Sequence, residues 1–227
     1  MLTLAIDTST NILSIALTRN EKVLAWMDKE TKNNQSEILM SSIESLMNQC
    51  QLQPTALEKI AVAIGPGSYT GIRVGVTAAK SLAYALDIPI VEVSSLEIMA
   101  RFAMARFAID RSPMLEQKID LVIPMIDARR GTVFAGVYDS FGKSVMPDGH
   151  YQMKEFLATI SQNQSVICVG DQSLATRELW LTQENKLEGS KGIVLAKLAA
   201  SMSSHKNSHT VVPNYLRKTE AEMNLNG

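Results

Sequence analysis

The chain has 227 residues, 46% of them hydrophobic and 20% charged, the balance of an ordinary globular protein with room for one large core or two smaller ones. Lys plus Arg number 22 against 23 Asp plus Glu, a net charge of −1, which argues against a protein that grips nucleic acid alone through a basic excess. The two cysteines, Cys50 and Cys168, are too few for a disulfide framework, no basic leader precedes Asp7, and no run of about 18 apolar residues occurs, so buried thiols, no membrane span and a cytoplasmic location are expected.

In chain order, "LTLAID" (2–7), "ILSIALTR" (12–19) and "VLAWMD" (23–28) are apolar or β-branched runs broken by "TSTN" and "NEK". They predict a three-stranded antiparallel meander. From 35 to 50 the period changes: Ile38, Leu39, Ile43, Leu46, Met47 and Cys50 recur at helical spacing. Asn34 or Ser36 is a candidate cap, and Glu37 suits the positive end of the dipole. "KIAVAI" (59–64) reads as a strand inside a sheet. The glycine loop "GPGSYTG" follows, then a helix over 71–86 whose Gly71, Gly75, Ala78, Ala79 and Ala83 permit a close neighbour. "DIPIVEV" (87–93) is a short strand, and a helix over 95–109 is stopped by Ser112-Pro113.

The order then recurs. "LVIPMID" (121–127), "ARRG", "TVFAGVYD" (132–139), "SFGK", a helix over 153–160 and the strand "SVICVGD" (165–171) answer the first half. The pattern predicts an internal duplication of a β-β-β-α-β-α unit. The halves are 1–111 and 112–227, with the last ~15 residues packing back on the first. A duplicated unit of this order resembles actin, Hsp70 ATPases and sugar kinases, an α/β fold of two tandem ribonuclease-H-like domains with ATP between them. That resemblance implies a cleft pair, Asp7 and Asp127, acting through metal and phosphate. Alternatively, each aspartate caps its own turn by accepting backbone N–H bonds, the reading preferred for Asp127.

The glycine loop has the pieces of an anion site. Gly65 and Gly67 let backbone approach, Ser68 and Thr70 offer hydroxyls, and Arg73 sits in the first turn of the next helix. With Asp7 and Ser9 these are candidate nucleotide or phosphate contacts. The loop is neither a Walker A motif nor G-x-G-x-x-G, and a tight strand-to-helix turn with a Ser or Thr cap accounts for it equally. Arg129 and Arg130 form a hairpin tip that either holds a phosphate, including that of tRNA, or is simply solvated.

Taken together, "AIDTST" (5–10), "GPGSYTGIRVGVTAAKSLAYALDIP" (65–89), "DARRG" (127–131) and "PNYLRKTE" (213–220) resemble the Kae1/TsaD family, and within it the TsaB (YeaZ) branch. The resemblance implies a part in making threonylcarbamoyladenosine, the modified base beside the tRNA anticodon. In that system TsaD is the transferase, the TsaB branch its partner and TsaE a small ATPase. Catalytic members carry His-x-x-x-His on the helix after the strand that follows the glycine block. Those positions fall here on Ser95 and Met99, neither of which is a credible ligand for a hard or borderline cation. The three histidines, His150, His205 and His209, lie elsewhere, the last two in a loop-like run.

The resemblance therefore implies an inactive paralogue rather than an enzyme. It needs no cofactor or metal of its own, ATP/ADP and a metal being expected on its partners. It also implies a helix bundle with TsaD, or with a second copy when alone. The contact residues would be Gln35, Ser36, Glu37, Leu39, Ser42, Ile43, Leu46, Gly71, Gly75 and Ala79, with Gln35 standing where the branch commonly has His. The same spacing also fits core, and the 12 methionines suit either use. The competing readings are an ATP-dependent enzyme of the actin/Hsp70/sugar-kinase class using Asp7 and the glycine loop, and a metallopeptidase, against which the lost histidines argue.

Overall fold

The computed structural model describes residues 1–20, 22–31, 34–109, 119–160, 164–170, 181–183, 190–204 and 207–216, with backbone alone at 107–109 and 181–183. Strands β1 (Leu2–Asp7), β2 (Ile12–Arg19) and β3 (Lys22–Glu30) form the expected meander, and α1 (Gln35–Gln49) follows. Strand β4 (Lys59–Ala63) pairs parallel with β1, α2 (Tyr69–Leu86) crosses over, and β5 (Ile90–Val93) pairs parallel with β4. The sheet order is β3-β2-β1-β4-β5.

Side-chain size sorts the two faces of this sheet. Along each strand the period of two sends alternate residues to opposite sides. Leu2, Leu4, Ile6, Leu13, Ile15, Leu17, Ile60 and Val62 share one cluster with the buried faces of α1 and α2. The intervening Ala5, Ala16, Ala61 and Ala63 make the other face, which is shallow enough for a helix to come close.

After α3 (Ser95–Ile109), the second half repeats the plan: β6 (Leu121–Asp127), β7 (Thr132–Asp139), β8 (Ser144–Gln152), α4 (Met153–Ala158), β9 (Val166–Gly170), β10 (Leu181–Gln183) and α5 (Lys191–Ser201). Its sheet order, β10-β9-β6-β7-β8, is the first sheet's order read from the other edge. The chain is thus two tandem ribonuclease-H-like halves of the actin/Hsp70/sugar-kinase type. The segment 110–118, where a break between halves is expected, lies outside the described residues, as do His205 and 217–227.

The halves exchange helices. Helix α3 lays Leu96, Met99, Ala100 and Ala103 against Val122, Tyr138 and Val169 of the second sheet. Helix α5 lays Leu195, Ala196 and Ala199 on the alanine face of the first. The buried Lys59 ammonium donates to the Ala199 carbonyl at 3.0 Å, a favourable charge at the negative end of α5, though burial lowers its pKa. The expected helix over 71–86 begins two residues earlier, because Ser68 caps it: its Oγ accepts from the Gly71 N–H at 3.2 Å. Asn34 precedes α1, but its side chain makes no cap bond. Both cysteines are free, and burial pushes the Cys168 thiol up to about 12. No described helix is long and apolar enough to cross a membrane.

Candidate functional site

The turn after β1 is a hub. Asp7 is buried, and its Oδ1 accepts from Ser9 N–H at 2.8 Å and from Ser9 Oγ–H at 2.6 Å. Its Oδ2 lies 3.6 Å from the ammonium of Lys191, the first residue of α5, and the two side chains are 1% and 5% exposed. Lys191 also donates to Thr10 Oγ1 at 3.2 Å. Asp7 therefore caps its own turn and is neutralised by an internal cation. Asp7 and Ser9, expected as phosphate contacts, are both buried and are engaged with each other. Lys191 was invisible in the sequence because α5 reaches the hub only through the exchange of helices.

The same turn clamps the N-termini of α1 and α2. Ser68 N–H donates to the Ser9 carbonyl at 2.7 Å, Thr8 Oγ1 to the Gly71 carbonyl at 2.7 Å, and Gln35 Nε2 to the Thr10 carbonyl at 2.6 Å. A Cβ on Gly71 would lie 2.2 Å from the Thr8 carbonyl oxygen, and one on Gly75 2.2 Å from Thr8 Oγ1. Gly65 has a φ of 104°, and its amide and carbonyl bond Ser95 Oγ and N at 3.1 and 2.9 Å. The glycines thus serve close approach. Ser95 is buried with its hydroxyl engaged, and Met99 is buried in the apolar cluster of α3. This donor set does not fit a metal ion.

A cleft of about 730 Å³ runs between the halves. On one side stand Gly67, Ser68 and Thr70, on the other Asp127, Arg129 and Arg130, with Phe134 and Tyr215 completing it. The glycine loop and the arginine hairpin, read separately in the sequence, thus share one cavity. Asp127 Oδ1 accepts from Arg129 N–H at 2.7 Å, the turn-capping role preferred for it. Arg129, Arg130 and Gly131 follow at φ 67°, 53° and 76°. Two consecutive left-handed non-glycine residues are uncommon.

Arg73 departs from its predicted place. It leaves the cleft, and its guanidinium sits 4.1 Å over the Tyr69 ring while Nε donates to Tyr215 Oη at 2.7 Å. It lines instead a groove of about 680 Å³ along α1 and α2, with Met40, Val74, Ala78 and Leu82. The expected partner contacts need a second correction. Gln35, Leu39, Ser42, Ile43, Leu46, Gly71, Gly75 and Ala79 are buried within the chain, facing the first sheet or the other helix; only Ser36 and Glu37 are exposed. Periodicity found the apolar face of α1, but that face is the core side.

A polar cluster without sequence warning ties α3 to the second sheet. Asp148 accepts from Tyr138 Oη at 2.6 Å and from Ser94 Oγ. Burial raises the Glu97 carboxyl beside it, and burial followed by the Asp148 bond raises the Tyr138 phenol.

The family model for TsaD, tRNA N6-adenosine threonylcarbamoyltransferase, matches residues 28–225. The chain is 37% identical to the tRNA threonylcarbamoyladenosine biosynthesis protein TsaB of Bacillus subtilis (strain 168), over 98% of this chain and 96% of that one. It is 31% identical to the TsaB of Escherichia coli (strain K12), over 60% of this chain and 54% of that one. The solved structure of YeaZ from Pseudomonas aeruginosa superposes with a TM-score of 0.72 at 23% identity, covering 95% of this chain and 99% of that one, which shows the same fold. With its duplicated halves, its loop held by Ser95 and an end-to-end relative of that name, this chain belongs to the TsaB branch of the TsaD family.

Proposed function

We propose that the chain is a catalytically inactive partner that activates TsaD in the biosynthesis of tRNA threonylcarbamoyladenosine. The observation that carries this reading is the use made of the positions where catalytic relatives hold a cation. Ser95 is bonded to the Gly65 backbone and Met99 is packed in an apolar cluster. Asp7, the other group that chemistry would need, is paired with Lys191. A protein so arranged works by contact. The contact surface is the outward face of α1 and α2, where Met40 is half exposed and Val74, Ala78 and Leu82 are partly buried. TsaD docks there as a helix bundle, and a second copy takes its place when the chain is alone. ATP/ADP and metal belong to TsaD and TsaE, tRNA reaches the chain through the complex, and the assembly works in the cytoplasm.

The test is reconstitution. The lone chain should neither hydrolyse ATP nor modify tRNA supplied with threonylcarbamoyl-adenylate. Adding TsaD from the same cell should give a heterodimer on size exclusion, with TsaE completing the modifying system. Metal-dependent ATP turnover by the lone chain, lost in Asp7→Asn, would replace this reading with that of a kinase-like enzyme.

A further inference from the structure

We propose that the cleft between the halves binds an unpaired nucleotide of an RNA strand. The inference rests on the role in tRNA modification and assigns a place on this chain to the RNA. The cavity, about 730 Å³, lies in the range of small-molecule sites. Its chemistry is cationic and aromatic. Arg129 and Arg130 stand on one wall, and Tyr69, Tyr215 and Phe134 supply ring surface. Guanidinium groups suit phosphate oxygens, and rings give a base a sequence-tolerant stacking platform.

The platform is held ready. Tyr69 and Tyr215 pack with centroids 5.1 Å apart, and Arg73 fixes both, lying 4.1 Å over the first and donating to the hydroxyl of the second. Both tyrosines remain exposed despite this clamp. Rings ordered before binding lose little freedom on binding. The hairpin is equally fixed: Asp127 Oδ1 and Thr132 Oγ1 bond the Arg129 amide and carbonyl, at 2.7 and 2.8 Å.

A strand suits this cleft better than a metal–nucleoside triphosphate. The carboxylate that would serve a metal, Asp7, is sealed beneath Ser9 and paired with Lys191, and Asp127 is turned to its own hairpin. What remains is a site for a phosphodiester and a base. A net charge of −1 makes the binding of the lone chain weak and local rather than a broad electrostatic grip.

The experiment is fluorescence anisotropy on the full chain at several salt concentrations, with a labelled RNA stem-loop, a fully paired RNA duplex, and AMP and ATP as competitors. The stem-loop should bind more tightly than the duplex. Arg129→Ala/Arg130→Ala should weaken it and flatten the slope of log Kd against log salt by about 1. Tyr215→Ala should weaken it about tenfold without changing that slope, and Tyr215→Phe, which keeps the ring, should retain binding. Stem-loop affinity unchanged in the arginine and Tyr215→Ala variants overturns the proposal, as does ATP binding without stem-loop binding. Size exclusion of the same variants with TsaD keeps the two readings apart: a chain that pairs normally but ignores the stem-loop defeats this inference alone.

Discussion

At the scale of the residue, Thr8 explains more of this molecule than the glycines around it. Its hydroxyl donates to the Gly71 carbonyl, its own carbonyl stands against Gly71, and its side chain fills the space a Cβ on Gly75 would need. A methyl at Gly75 would meet Thr8 Oγ1 at 2.2 Å, inside any tolerable contact. Overpacking of this kind costs about 1–3 kcal/mol. Gly75→Ala should therefore lose about that much stability in urea unfolding. Because the clash is with one side chain, Thr8→Ala/Gly75→Ala should lose less than the two single changes together, a coupling that a double-mutant cycle reads directly. Additive losses would mean that helix geometry, not Thr8, demands the glycine. Gln35 belongs to the same hub. It donates to the Thr10 carbonyl from a buried position, so its part is to anchor the start of α1.

At the scale of the element, α1 and α2 each have a core side and an outer side, and only the outer side is available to a partner. Leu39 is 1% exposed and sits in the main cluster, whereas Val74 is partly exposed along the groove. Val74→Glu should leave the melting temperature within a few degrees of the parent and abolish co-elution with TsaD. Leu39→Asp should instead unfold the chain, because an unpaired buried carboxylate has no compensation in this core. If Val74→Glu pairs normally, the bundle does not use this face. This division also marks what was legible beforehand. Period and turn chemistry gave the strands and helices, since Leu4, Ile6, Ile15 and Val62 alternate as a sheet requires. Period marks the apolar face of α1 but cannot say whether it meets the chain's own sheet or a partner, since core and interface use the same residue types; here it is the core side, and the exposed positions are polar apart from Met40. Nor can local pattern show that Arg129 and Ser68, distant in sequence, border one cleft.

At the scale of the whole molecule, the exchange of helices sets how the protein folds. The alanine face of the first sheet is covered by α5, whose residues 191–201 come last among the described α-helices. The second sheet is covered by α3, which the first half supplies. Neither sheet has both faces covered by its own half among the described residues. Alanine at four strand positions is what lets α5 sit so close, and Gly192 carries this furthest: a Cβ there would lie 2.9 Å from the Ile15 carbonyl carbon. The hub at Asp7 adds a buried ion pair between the same two regions, and losing one member of such a pair costs about 3–5 kcal/mol. Two consequences follow for a chain that shows two repeats in its sequence. Unfolding of the intact protein should be one cooperative transition, with far-ultraviolet dichroism and tryptophan fluorescence changing together. A fragment of residues 1–111, cut where sequence alone sets the boundary, should fail to fold, because Ala5, Ala16, Ala61, Val91 and Val93 would face water and Asp7 would be buried beside no cation. Adding a peptide of residues 184–204 should restore native-like dichroism to that fragment in proportion to its concentration. A fragment that folds unaided, with a sharp transition of its own, would show that the halves are independent domains and that the exchanged helices are incidental to their stability.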